Sequence, residues 1–350
     1  MTAAPALEVQ GLHVSIRDAR IVRDVSWSVE RGQTLGIVGE SGSGKSMSVL
    51  AASGLMGSDR ARVTGRSLLG PAADDDDAGP VDLLTMSAEQ RRRVRGRRIG
   101  FVFQDPATSL NPLLDVERQL TEGTIEHLGL TRRAARTRAL ELLELVGIPD
   151  PERRLGAYPH QLSGGMRQRV MIAIALACDP DLLIADEATT ALDVTIQAQI
   201  LDAVRDLRER LGTAVVWISH DLAVVGSIAD EVVVMYGGEI VEQSETVELF
   251  RSTAHPYTRG LFESRPRAGG DGSPLTTIPG APPDPRAVPP GCVFWDRCSV
   301  RGDARCESEH PELREVSPGH LARSWYRADM GPIDGGGTAR AESDLVEEDA

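Results

Sequence analysis

The sequence predicts an α/β fold carried by a largely parallel sheet, and three observations support it. Thr34–Val38 is a short apolar strand that runs through a glycine-rich loop into a helix at about residues 45–56. Residues 182–185 form a second apolar strand that stops on adjacent carboxylates, Asp186 and Glu187. From Gly165 to Met235, helical and strand patterns alternate, as a sheet with helices on both faces requires.

In chain order, residues 7–16 and 21–29 alternate apolar and polar side chains and are rich in β-branched residues. They read as two strands joined by a turn at residues 17–20. Residues 57–98 mix Gly, Pro, Asp and Arg without periodicity and read as an irregular connection with an acidic loop at residues 74–77. Residues 99–103 are another buried strand, and from 113 to 145 the apolar spacing becomes helical, ending at Gly147 and Pro149. The second half supplies helix 165–177, helix 194–211, strand 213–218, helix 222–228 and strand 231–235. Proline and glycine dominate residues 265–290, where the core-forming part is expected to have ended. There is no internal repeat.

Composition bounds the function. The chain has 350 residues, 41% of them hydrophobic, and a net charge of -14, which argues against a nucleic-acid binder because phosphate backbones are held by basic surfaces. No apolar run reaches the roughly 18 to 20 residues of a membrane helix, and the first thirty residues carry charges, so a cytoplasmic protein is expected. Four cysteines in that setting are expected to stay reduced. The basic residues are arginine with a single exception, Lys45.

That exception stands in Gly39-Glu40-Ser41-Gly42-Ser43-Gly44-Lys45-Ser46, which fits the phosphate-binding P-loop and lies between a buried strand and a helix. Glycines let backbone N–H groups converge on phosphate oxygens, and the helix N-terminus adds its positive dipole end. Lys45 would reach the β- and γ-phosphates, where a compact ammonium fits and a planar guanidinium does not, and Ser46 would ligate Mg²⁺. Asp186 would hold the same Mg²⁺, and Glu187 would orient or deprotonate an attacking water.

The run Leu162-Ser163-Gly164-Gly165-Met166-Arg167-Gln168-Arg169, upstream of the carboxylate strand, resembles the signature motif of ABC ATPases. Physically it is a second anion site, built from Ser163, the amides of Gly164 and Gly165 and a helix N-terminus. The resemblance implies that it serves the ATP held by a partner's P-loop. It further implies Gln104 as the Q-loop glutamine and a Mg²⁺ ligand, Ala191-Leu192-Asp193 as the D-loop, and His220 as the switch histidine. The implied fold is a P-loop nucleotide-binding domain with a mostly parallel sheet, a small antiparallel β-subdomain and a helical subdomain. The family's adenine-stacking aromatic is replaced by Ile16, a change that should cost about 1 kcal/mol, under tenfold in affinity.

Phe103-Gln104-Asp105-Pro106-Ala107-Thr108-Ser109-Leu110-Asn111-Pro112, Thr189-Thr190-Ala191-Leu192-Asp193-Val194-Thr195 and the C-terminal His255-Pro256-Tyr257-Thr258-Arg259 are similar to the oligopeptide and dipeptide importer branch. The resemblance implies an ATPase domain over residues 1–250 with a helical subdomain at 113–165, a transporter C-terminal region over 251–326, and an acidic, disordered tail over 327–350. It implies ATP and Mg²⁺ as ligands, a second and paralogous ATPase subunit, two membrane permeases docked after Gln104, and an extracytoplasmic solute-binding protein. The chain would lie peripherally on the cytoplasmic face of the membrane. Importers of nickel, glutathione or oligosaccharides, and soluble ABC ATPases, are the alternatives. In this branch Cys292, Cys298 and Cys306 would ligate a [4Fe-4S] cluster whose fourth cysteine is here Ser324. Incomplete binding, substitution by His310 or His320, and free thiols all remain open.

Overall fold

The computed structural model describes residues 4–56, 61–72, 79–189, 194–264 and 277–327. Strands β1 (Leu7–Ile16) and β2 (Ala19–Val29) pair antiparallel across a tight turn in which Arg17 takes a φ of 54°. β1 buries Leu7, Val9, Leu12 and Val14 on one face, the period-2 pattern of a half-covered strand. β3 (Thr34–Val38) leads through the glycine-rich loop to α1 (Lys45–Ala52).

Residues 57–98 are more regular than their composition suggests. β4 (Ala61–Leu69) pairs antiparallel with β1, followed by β5 (Val81–Asp82) and α2 (Ala88–Val94), whose start is closed by a capping box between Ser87 and Gln90. The strand escapes a hydropathy reading because residues 62–66 are mostly exposed and polar. The acidic run at residues 74–77 lies outside the described residues.

β6 (Ile99–Val102) stops before Phe103, and a single turn, α3 (Pro106–Ser109), follows. The helical run expected over residues 113–145 divides into α4 (Val116–Leu128) and α5 (Arg132–Leu145). Asp115 and Thr131 cap their N-termini, and Gly129 ends α4 at a φ of 65°. After α6 (Pro151–Leu155) come α7 (Gly164–Leu176), β7 (Leu182–Asp186), α8 (Val194–Leu211), β8 (Ala214–Ser219), α9 (Leu222–Ile228) and β9 (Glu231–Tyr236). β10 (Glu239–Glu245), α10 (Thr246–Arg251), α11 (Pro256–Glu263), α12 (Arg305–Ser308), β11 (Arg314–Ser317) and β12 (His320–Ala322) complete the described chain.

One sheet is antiparallel, in the order β2-β1-β4-β5, and the other runs β11-β12-β10-β9-β3-β8-β7-β6. Within it β9, β3, β8, β7 and β6 are mutually parallel, and every residue of β3, β7 and β8 is buried, as strands covered on both faces must be. One core cluster joins the two sheets through Leu35, Ile37 and Ile184, while the other packs α5, α7 and α8 on the opposite face.

The proline-rich segment does not end the core, contrary to the sequence expectation. Cys292, Val293 and Phe294 share the second cluster with Tyr236 and Tyr257, and β12 adds to the main sheet beside β10. Cys292 lies in that cluster with Cys298 half-buried against it, and Cys306 is buried too. A local excess of proline limits secondary structure, but it does not prevent apolar side chains from finding a core built elsewhere.

Candidate active site

The glycine-rich loop leaves β3 at a buried strand end and enters α1 through left-handed glycines, with φ of 150° at Gly39, 82° at Gly42 and 98° at Gly44. A Cβ at Gly39 would stand 2.2 Å from the Met235 carbonyl oxygen, and one at Gly44 would stand 2.9 Å from that of Ile21. Only glycine fits these positions. Ser41 is exposed, and the carbonyl of Ser43 accepts from Gly238 N at 3.0 Å. Lys45 lies buried with Nζ donating to the carbonyls of Gly39 (2.8 Å) and Glu40 (2.9 Å). Burial lowers its pKa, against the opposing charges of Glu187, Asp186 and Glu40.

Asp186 closes β7 with its Oδ1 accepting from Ser46 Oγ at 2.9 Å, 140 positions away in sequence. Burial raises the Asp186 pKa, and the bond from Ser46 works against that rise. Glu187 follows at a φ of 49°, a conformation rare for a residue with a side chain, and its N–H donates to Ile218 O at 3.0 Å. The strained backbone turns the carboxylate toward two side chains: Gln104 Nε2 donates to Oε2 at 2.9 Å, and His220 Nδ1 stands 3.4 Å from Oε1. Gln104, Glu187 and His220 thus converge from the ends of β6, β7 and β8.

Ser46 and Asp186 offer hard oxygen donors side by side, which fits Mg²⁺, an ion that keeps several waters and takes few protein ligands. Gln104 stands beside this pair, with its Nε2 donating to the adjacent Glu187 carboxylate.

The glycine-serine run after Leu162 forms the start of α7, where Ser163 Oγ accepts from Met166 N at 3.3 Å. Ser163 and Gly164 are exposed and Gly165 is half-buried; a Cβ at Gly164 would meet nothing within 4 Å. Arg169 anchors the helix from below, donating to Val146 O at 3.3 Å and to Gln199 Oε1 at 3.1 Å. Asp193, with Ala191 and Leu192, lies outside the described residues. Ile16 ends β1, half-buried opposite Ala19 and Ala61.

The cysteine segment does not fit a four-ligand cluster. The three thiols lie near one another, and burial first, then their mutual charge, pushes Cys292 up to about 12 and Cys298 upward too. His310 Nε2 stands 2.9 Å from both carboxylate oxygens of Glu239, His320 Nε2 stands 2.7 Å from Glu242 Oε1, and Ser324 Oγ donates to Tyr326 O at 2.7 Å. Each candidate fourth ligand thus has one of its polar atoms committed to another group. Among the described residues no group of three or more His, Cys, Asp or Glu side chains is arranged to hold a metal ion.

Two residues that sequence reasoning did not place at the site are Tyr257 and Arg297. Both bond Glu40 of the glycine-rich loop, from 217 and 257 positions further along the chain. No local pattern could have signalled contacts at that separation.

A family model described as ABC transporter matches residues 22–190, and a second, for the oligopeptide/dipeptide transporter C-terminal region, matches residues 241–306. The chain is 48% identical over 307 residues to a probable peptide ABC transporter ATP-binding protein, y4tR, of Sinorhizobium fredii, across 87% of this chain and 89% of the relative. The chain belongs to the ATP-binding proteins of the ABC transporter family. It is also 45% identical over 324 residues to the oligopeptide transport ATP-binding protein OppD of Bacillus subtilis, covering 91% of this chain and 88% of that one. Among solved structures, the dimeric ATP-binding cassette MJ0796 with ADP and Pi bound matches at a TM-score of 0.60 and 26% identity, covering 69% of this chain and 98% of that one. This ABC ATPase thus has the P-loop fold, with the mostly parallel main sheet its residues predicted and the small antiparallel sheet the resemblance implied. No helix among its described residues is long and apolar enough to cross a membrane.

Proposed function

We propose that this ABC ATPase energises peptide import, hydrolysing ATP as one of two paired motor subunits on the cytoplasmic face of a membrane permease. The observation that carries the reading is the joint presence of the Lys45, Ser46, Asp186 and Glu187 constellation and a C-terminal region of the oligopeptide/dipeptide transporter type in the same chain. The relatives' names, peptide and oligopeptide transport ATP-binding proteins, support the cargo class.

In this reading the amides of residues 39–46 and the start of α1 receive the triphosphate, and Lys45 exchanges its loop carbonyls for phosphate oxygens. Ser46 and Asp186, with Gln104, would hold Mg²⁺, which when bound would supply positive charge against the triphosphate. Glu187 accepts a hydrogen bond from the attacking water, with Gln104 and His220 holding its carboxylate in place. Ser163 and Gly164 face outward with the half-buried Gly165 behind them, which suits an anion site for a nucleotide held by a second subunit. Asp193 would complete that interface. We take residues 1–250 as the motor with its helical part at 113–165, 251–326 as the transporter-specific region, and 327–350 as a tail. The permeases would dock after Gln104, where Phe103 and Leu113 are exposed, and a paralogous ATPase and a solute-binding protein complete the assembly. No step passes through a [4Fe-4S] cluster, and Cys292, Cys298 and Cys306 serve as packing thiols.

The test is Glu187→Gln. The variant should bind MgATP as the parent does and turn over at least about a hundredfold more slowly. Steady-state hydrolysis at the parent's rate would remove Glu187 from the reaction.

A further inference from the structure

Glu40, the second residue of the glycine-rich loop, is held at every polar point it has. Its N–H donates to Tyr257 Oη at 2.8 Å, and its carbonyl accepts from Lys45 Nζ at 2.9 Å. Its carboxylate is gripped by both terminal nitrogens of Arg297, Nη1 to Oε2 at 2.7 Å and Nη2 to Oε1 at 3.0 Å. Arg297 is itself fixed: Nε donates to Pro279 O at 2.8 Å, Nη1 to Tyr236 Oη at 3.2 Å, and Nη2 to Ile278 O at 3.3 Å. The pair is largely out of water, with the Arg297 side chain 6% exposed and that of Glu40 26%. Tyr257 packs against Tyr236 and Phe294 with ring centroids 4.6 and 5.4 Å away, so its hydroxyl is aimed by a rigid aromatic group.

Tyr257 and Arg297 both come from the transporter-type C-terminal region, not from the part of the chain that matches the ABC motor. The chemistry of the loop gives this contact a purpose. A loop that must receive a triphosphate carries a carboxylate of its own, and like charges a few ångströms apart oppose binding. A forked guanidinium cancels that charge and fixes its direction at once, which an ammonium cannot do.

We infer that Arg297, assisted by Tyr257, is a positioning residue for the nucleotide: it neutralises Glu40 and sets the first turn of the phosphate loop, which makes the C-terminal region a structural part of the ATP site. The inference rests on the nucleotide role proposed for the loop.

The experiment uses the full chain titrated with MgATP. Arg297→Ala should raise the Kd on the order of tenfold, and adding Glu40→Gln should recover most of the loss, because the uncompensated carboxylate is gone. Arg297→Lys should fall between, and in steady state the loss should appear in KM with kcat at saturating ATP held within about twofold. A folded Arg297→Ala chain with the parent's Kd overturns the inference. So does a loss that Glu40→Gln leaves unrelieved, which would make Arg297 a packing residue alone. If Arg297→Ala does not fold, Arg297→Lys and Tyr257→Phe carry the test, and parental affinity in both overturns it. A parent chain that binds no MgATP would instead sink the role of the loop itself.

Discussion

His255 caps α11 by accepting from Tyr257 N at its Nδ1, 3.0 Å away, and is almost wholly buried. Burial lowers its pKa from 6.5 to about 4, with the charge of Glu242 and a hydrogen bond to the Arg323 backbone opposing the shift and the Arg323 charge adding to it. The unfolded chain therefore takes up a proton on this side chain as pH falls through 6.5, while the folded chain stays neutral until about 4. The contribution is complete above the unfolded value and is lost as pH drops toward the folded one, on the order of 3 kcal/mol in all. His255→Asn keeps an acceptor for the helix start and removes the titration. Urea midpoints measured between those pH values should then depend on pH less steeply in the variant; parallel profiles would show that the dependence arises elsewhere. At this scale the residues proposed to hold the nucleotide stood out in the sequence because each carries local chemistry: glycines that must turn left-handed, a lone lysine among arginines, and carboxylates at a strand end. The contacts that orient Glu187 did not, since Gln104 and His220 reach it from separate strands.

Among the elements, β4 shows where periodicity fails. Gly65 sits in it at a φ of 112°, and a Cβ there would stand 2.5 Å from the Gly11 carbonyl oxygen, close to the register shift between Gln10 and His13 on β1. The strand is specified by this backbone approach and by its neighbour more than by its own hydropathy. Gly65→Ala should destabilise the protein by ~2 kcal/mol, read from urea unfolding, with the left-handed conformation and the backbone clash as the two causes. An unchanged midpoint would mean that β1 and β4 separate at little cost. The division of the helical run was, by contrast, written in the chain: Gly129 followed by Thr131 is a helix stop and a helix start, a signal weaker than the apolar spacing that surrounds it.

Over the whole molecule, the C-terminal region behaves as part of the motor. It covers Tyr236 with Phe294, places β12 on the edge of β10, and buries His320 against Glu242 with neither side chain exposed. A chain ending at residue 264 should melt well below the full chain and aggregate more readily, because it bares the edge of β10 and an apolar aromatic cluster. Equal melting temperatures by calorimetry would show the motor to be independent of it. The P-loop, the carboxylate strand, the strand–helix alternation of a parallel sheet and the family motifs were readable in the chain alone, because each is written in residues next to or a few positions from one another. The tertiary structure alone settled that β4 is a strand, that Cys292 and Cys306 are buried while His310 and His320 pair with carboxylates, and that Arg297 and Tyr257 close on Glu40. Those outcomes depend on which distant surfaces meet, and neither periodicity nor composition encodes a contact across hundreds of residues.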